Sequence, residues 1–151
     1  MEILEFRDWK LEINPELTRT FYTDLPFIGE DPHCSCIYCR NYVFTTKLFP
    51  KEIQQLCSSL GIDLTKQGEV NHFYQDEDGS HFYLTFYHFV GRILKQPMNE
   101  EDITIYNGSK QMVLDISNTV DLFDQSFTSP VLQLNIEAYL PWLLKELPEP
   151  T

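Results

Sequence analysis

A chain of 151 residues is long enough for one domain to bury its own core, and a composition that is 42% hydrophobic and 14% aromatic argues against disorder over most of it. Twenty-three Asp and Glu against 11 Lys and Arg leave a formal net charge of -12 at pH 7, so nucleic-acid phosphates repel the chain and direct DNA or RNA binding is not expected. No apolar run reaches bilayer length, and the start Met1-Glu2-Ile3-Leu4-Glu5 has neither a basic region nor a signal-like apolar core, which predicts a cytoplasmic protein with no membrane partner.

The acidic residues are scattered, with short clusters at Asp76-Glu77-Asp78 and Glu100-Glu101-Asp102. Their first use is solubility, and their second is attraction of a protein partner with a basic surface. A mimic of nucleic acid would need them regularly spaced on one face, and that spacing is absent.

In chain order, Trp9, Leu11 and Ile13 alternate with polar residues and predict a half-buried strand, with Ile3 to Phe6 in it or in a strand before it. Asn14-Pro15 has the form of an N-cap and first helical residue, so a short helix is expected from Pro15 to about Asp24, ended by Pro26. A loop follows, Phe27 to Pro32. A second helix is expected from about Cys36 to Lys47, against the preference of the β-branched residues in Val43 to Thr46. The strongest helical pattern is Lys51 to Leu60, with Ile53, Leu56, Cys57 and Leu60 on one face and Gly61 as its stop.

The pattern changes at Gly68. Glu69 to Gln75 reads as a strand, Asp76 to Gly79 as a hairpin turn and His81 to Leu94 as a long strand. That strand has Phe82, Leu84 and Phe86 on one face and Tyr83, Tyr87 and Phe89 on the other, so it should be central and covered by helices on at least one face. Gly91 within it suggests a bulge. Two short strands, Ile103 to Tyr106 and Met112 to Ile116, flank the turn signal Asn107-Gly108. Asn118 to Pro130 reads as a loop, and Leu132, Leu134, Ile136 and Ala138 mark a last strand. Pro141 ends it, with Trp142, Leu143 and Leu144 expected against the body. The prediction is an α+β fold: a largely antiparallel sheet with two or three helices from the first half of the chain. Residues 1–147 form one globular domain and 148–151 a frayed tail.

Reactive side chains concentrate in one place, His33-Cys34-Ser35-Cys36-Ile37-Tyr38-Cys39-Arg40-Asn41. Four chemistries fit it. Zinc would take Cys34, Cys36 and Cys39, with His33 or Cys57 as a fourth ligand, although the second Cys or His pair of a usual structural site is missing. Dithiol redox chemistry would use Cys36 and Cys39 at a helix start, where unpaired N–H groups favour a thiolate, but the βαβ surroundings of such proteins are not evident. A cysteine nucleophile would need a base, and His33, His72, His81 and His88 qualify by type alone. Packing asks least: Cys36 and Cys39 would sit between helix and sheet, with Cys57 in the core and Asn41 bridging backbone around the loop. Phosphate loops, G-x-S-x-G and H-E-x-x-H patterns are absent, and Asp76 to Gly79 lacks the full calcium-loop spacing.

The stretch Cys34-x-Cys36-x-x-Cys39-Arg40-Asn41, the strand Tyr87-His88-Phe89-Val90-Gly91-Arg92, and the ending Val131-Leu132-Gln133-Leu134 with Leu140-Pro141-Trp142 together resemble an uncharacterised family of small bacterial proteins. The resemblance covers most of the chain and implies a bacterial or phage setting but no activity. The reading that follows is a small, acidic, non-enzymatic domain that binds another protein. Its cysteine cluster is structural, with zinc at Cys34, Cys36, Cys39 and His33 as the metal version. The alternative is a thiol-dependent redox protein or enzyme using Cys34, Cys36 and Cys39.

Overall fold

The computed structural model describes residues 1–66, 69–98, 103–107, 110–118 and 130–148. The expected acidic cluster at Glu100 to Asp102, Gly68, the turn residue Gly108, all but the ends of the 118–130 loop, and most of the expected tail lie outside them.

Among the described residues, seven strands and three α-helices follow in the order β1 (Glu2–Phe6), β2 (Trp9–Ile13), α1 (Pro15–Thr23), α2 (Ile37–Thr45), α3 (Lys51–Leu60), β3 (Glu69–Gln75), β4 (His81–Lys95), β5 (Ile103–Asn107), β6 (Lys110–Ser117) and β7 (Val131–Leu140). All strand pairs are antiparallel, and the helices come from the first half of the chain, as the α+β reading expects.

The axis of the sheet is β4. Along one flank it pairs with β7, from His81↔Leu140 to Val90↔Val131. Along the other, β3 and β2 lie end to end, β3 reaching Phe86 and β2 beginning at Gly91. Backbone groups of β4 in the gap between them still need partners. Helix α1 supplies these: Tyr22 Oη donates to the His88 carbonyl at 2.8 Å, the Val90 N–H donates to Thr18 Oγ1 at 2.9 Å, and the Asn14 N–H donates to the Val90 carbonyl at 3.1 Å. Asn14 is the N-cap that the sequence predicts, accepting from the Leu17 N–H.

One face of the sheet carries Tyr83, Tyr87 and Phe89, continued by Ala138, Ile136 and Leu134 of β7 and by Met112, Leu114 and Ile116 of β6, all buried. The helices cover this face with Tyr22, Tyr42, Ile53, Leu56, Cys57 and Leu60. Burial of each large side chain contributes about 1.5–3 kcal/mol. Two hydroxyls within the core form a relay: Tyr87 Oη donates to the Leu64 carbonyl at 2.8 Å, so Tyr42 Oη, 2.6 Å away, is the donor to Tyr87.

Some boundaries move. Cys36 is the N-cap of α2 rather than its first helical residue. The helix gives way to a 3₁₀ turn at Thr46–Leu48 because the Thr45 and Thr46 hydroxyls donate back to the carbonyls of Tyr42 and Val43. Gly91 is a close approach instead of a bulge: a Cβ there would meet the Glu12 carbonyl at 2.8 Å. The irregularity lies beyond it, where Leu11↔Ile93 is followed by Lys10↔Lys95. A second bulge, at Phe73 in β3, was not anticipated. The sheet also curls, since Arg7 in the β1–β2 turn donates to the Thr104 carbonyl of β5 at 3.1 Å.

Candidate metal centre

The cysteine loop is held from both ends. Before it, the Ile28 N–H donates to the Thr65 carbonyl at 2.8 Å, and Gly29, at φ 85°, lies so near Arg40 that a Cβ would meet its Cα at 3.1 Å. After it, α2 begins. Cys36 Sγ accepts the Cys39 N–H at 3.5 Å, and the Arg40 N–H reaches the Cys36 carbonyl at 3.1 Å. The N-cap thus puts a sulfur where Ser, Thr, Asp or Asn would supply oxygen.

This turn gathers three sulfurs. Cys34, Cys36 and Cys39 offer Sγ atoms that all lie within 4.8 Å of one another. Three thiolates at about 2.3 Å from a tetrahedral ion stand about 3.8 Å apart, so the set is at most about 1 Å wider than a ligated one. The packing version expected Cys36 and Cys39 both inside. Cys39 is buried, but Cys36 and Cys34 are exposed, because an N-cap sulfur turned toward the helix end is left outside the helix–sheet interface.

The thiols differ electrically. The Cys34 thiol is held below its ordinary range by hydrogen bonds from the backbone and then the side chain of Cys36, while burial and next the charge of Cys36 push Cys39 up. The sulfurs border a cleft of about 360 Å³ whose far wall is Val70 to Phe73 of β3.

His33 is not brought into the sulfur group. Its Nδ1 lies 3.4 Å from the Gly29 N–H and 3.3 Å from the Cys34 carbonyl, within its own loop. Cys57 sits in the core, 1% exposed, and burial pushes its thiol up to about 12. His88 Nε2 is 3.2 Å from Gln133 Oε1, in the sheet. His72 and His81 form a pair, Nε2 to Nδ1 at 2.8 Å, with His72 stacked on Tyr38 at 4.1 Å and His81 against Trp142. Burial, then the neighbouring charge of His81, lowers His72 to about 4.

Asn41 bridges backbone as expected, but of a different segment. It is fully buried, donates to the Pro141 carbonyl at 3.0 Å and accepts the Leu143 N–H at 2.7 Å. Arg40 adds a two-bond pair to Glu146 at 2.9 and 3.0 Å. Trp142 packs against Tyr38 and donates Nε1–H to the Glu146 carbonyl, while Leu143 is 45% exposed and does not tuck in. The cysteine stretch and the Leu140-Pro141-Trp142 ending therefore meet, about a hundred residues apart in sequence.

Sequence reading missed His72 as a wall of the cleft. Without the extra residue at Phe73, the hairpin count would set His72 opposite Leu84 on the outer face; the bulge sets it opposite Tyr83, on the helix side. Among the described residues no helix is long and apolar enough to cross a membrane. Comparison with protein-family models, curated proteins and solved structures finds no match.

Proposed function

We propose that this chain is a non-enzymatic domain that acts by binding another protein, and that its cysteine loop is a structural zinc site. The carrying observation is the convergence of Cys34, Cys36 and Cys39 within 4.8 Å, with the Cys39 N–H already aimed at one of the sulfurs. An N–H donor and a helix start both favour the thiolate form a metal requires. Zinc would staple the loop at the start of α2, whose next two residues clamp the 141–146 segment.

Support for a protein partner comes from the face of the sheet turned away from the helices. Phe73 and Tyr74 are 56% and 42% exposed and pack on Phe82, which packs in turn on Tyr139. Asp76 and Asp78 flank this patch through Lys110, itself 4.7 Å over Tyr139. An exposed aromatic centre bordered by the paired Lys110, Asp76 and Asp78 suits a protein surface of mixed apolar and polar character.

Elemental analysis of protein purified without chelator or histidine tag tests the zinc reading. One zinc per chain, lost in Cys36→Ser, is the expected result. Substoichiometric zinc that added zinc does not raise would sink it.

A second reading has one observation in its favour. Cys34 is exposed with a lowered pKa beside two further thiols, the arrangement of an attacking thiolate and its resolving partner. Its thiolate would attack a substrate disulfide and release one thiolate. Cys36 or Cys39 would then displace the second, leaving an internal disulfide and a fully reduced substrate. Conversion of two thiols to one disulfide by a small disulfide reagent, undiminished by zinc, favours this reading over the first.

A further inference from the structure

A three-sulfur site needs a fourth donor, and the walls of its cleft limit the choice. Opposite the cysteines stand Val70, Asn71, His72 and Phe73. Val70 and Phe73 offer no ligand, and the Asn71 amide is turned to the Leu84 carbonyl at 3.4 Å. His72 carries an imidazole with one nitrogen committed: Nε2 is 2.8 Å from His81 Nδ1, while Nδ1 takes no hydrogen bond among the described residues. We propose that His72, which like His33 lies outside the 4.8 Å sulfur group, closes across the cleft on metal binding and is the fourth zinc ligand through Nδ1, completing a Cys34–Cys36–Cys39–His72 site that ties the loop to strand β3. This inference rests on the zinc reading above and adds to it the ligand that lies across the cleft.

The hydrogen-bond pattern around the pair suits that role. Zinc on Nδ1 leaves the His72 proton on Nε2, where it donates to His81 Nδ1. His81 then carries its own proton on Nε2, a buried atom beside Trp142 with no hydrogen-bond partner among the described residues, so the arrangement is held at the cost of one unsatisfied N–H. A ligating histidine usually has its second nitrogen held in this way, which fixes the tautomer and the ring plane. Stacking of His72 on Tyr38, between Cys36 and Cys39 in sequence, holds the ring against the helix that carries two of the sulfurs. Charge balance is simple. Three thiols release three protons on binding the dication, the imidazole releases none, and the closed site carries one negative charge.

Two other donors could compete: His33, adjacent to Cys34, and Glu69, whose charge acts on Cys34. X-ray absorption on the zinc-loaded wild-type protein separates the cases. The expected first shell is three sulfurs at about 2.3 Å and one imidazole nitrogen at about 2.0–2.1 Å, the usual zinc distances. His72→Gln should lose the imidazole signal and weaken zinc binding by at least about 10-fold, the loss that even outer partners of a site cause. His33→Ala and Glu69→Gln should leave both unchanged. A wild-type shell of four sulfurs, or of three sulfurs with oxygen, overturns the assignment whether or not any variant folds. An imidazole that persists in His72→Gln and disappears in His33→Ala overturns it too, and leaves the three-thiol reading standing. A wild-type protein that takes up no zinc removes that reading and this inference together.

Discussion

Cys57 shows how one atom of a side chain can matter in this core. Its sulfur is buried on the face of α3 that meets the sheet, and burial raises its pKa to about 12. It is therefore a neutral thiol at ordinary pH and acts as a small apolar group. Replacement by serine puts a hydroxyl into this buried apolar face, and Cys57→Ser should cost about 1–3 kcal/mol, read from the midpoint of urea unfolding. In the metal-free native protein a thiol reagent should label exposed Cys34, with its lowered pKa, well before Cys57 or Cys39. Mass mapping of early adducts checks the order, and rapid modification of Cys57 would contradict the burial argument.

At the scale of elements, Asn41 joins α2 to the chain after β7. Its side chain satisfies the Pro141 carbonyl and the Leu143 N–H while fully buried. Asn41→Ala leaves two backbone groups without these partners, so a loss of about 2–4 kcal/mol is expected, together with faster hydrogen exchange at the Leu143 amide. Unchanged exchange there would mean that the clamp does not hold the segment. Neither this clamp nor the His72 wall was legible in the sequence. Helix α3 was, from Lys51 to Leu60, because its apolar residues repeat at helical spacing with Gly61 at the stop. Strand β3 was also legible from end to end, because its polar boundaries are local. The cysteine cluster was legible because its members are five residues apart at most. What stayed hidden depends on distant pairing: the bulge at Phe73 reverses which face His72 takes, and period-two alternation alone carries no sign of it.

At the scale of the molecule, the core is rich in groups that must stay protonated. Burial is the largest cause raising the phenols of Tyr22, Tyr42 and Tyr87, partly offset at Tyr42 by its hydrogen bonds with Thr85 and Tyr87, and burial raises the Cys57 thiol. The folded state then holds protons that the unfolded chain releases, so this stability is complete below the ordinary thiol and phenol values of 9.0 and 10.0 and declines above them. Unfolding midpoints should be level near neutrality and fall between pH about 9 and about 12, each group removing about 1.4 kcal/mol per pH unit once past its unfolded value. A flat profile to pH 11 would refute the burial of this set. The place of β7 has a consequence in time. It is the last strand in sequence, yet it lies between β4 and β6 and is the bridge by which the β5–β6 hairpin joins the rest. During synthesis the helices and β1 to β4 can associate early, but one flank of β4 stays without its partner, and the apolar side chains of β5 and β6 stay uncovered, until residues 131–140 have left the ribosome. Completion of the sheet is thus a late event that closes many long-range contacts at once, the kind of topology that folds slowly and is most exposed to misassembly just before it finishes.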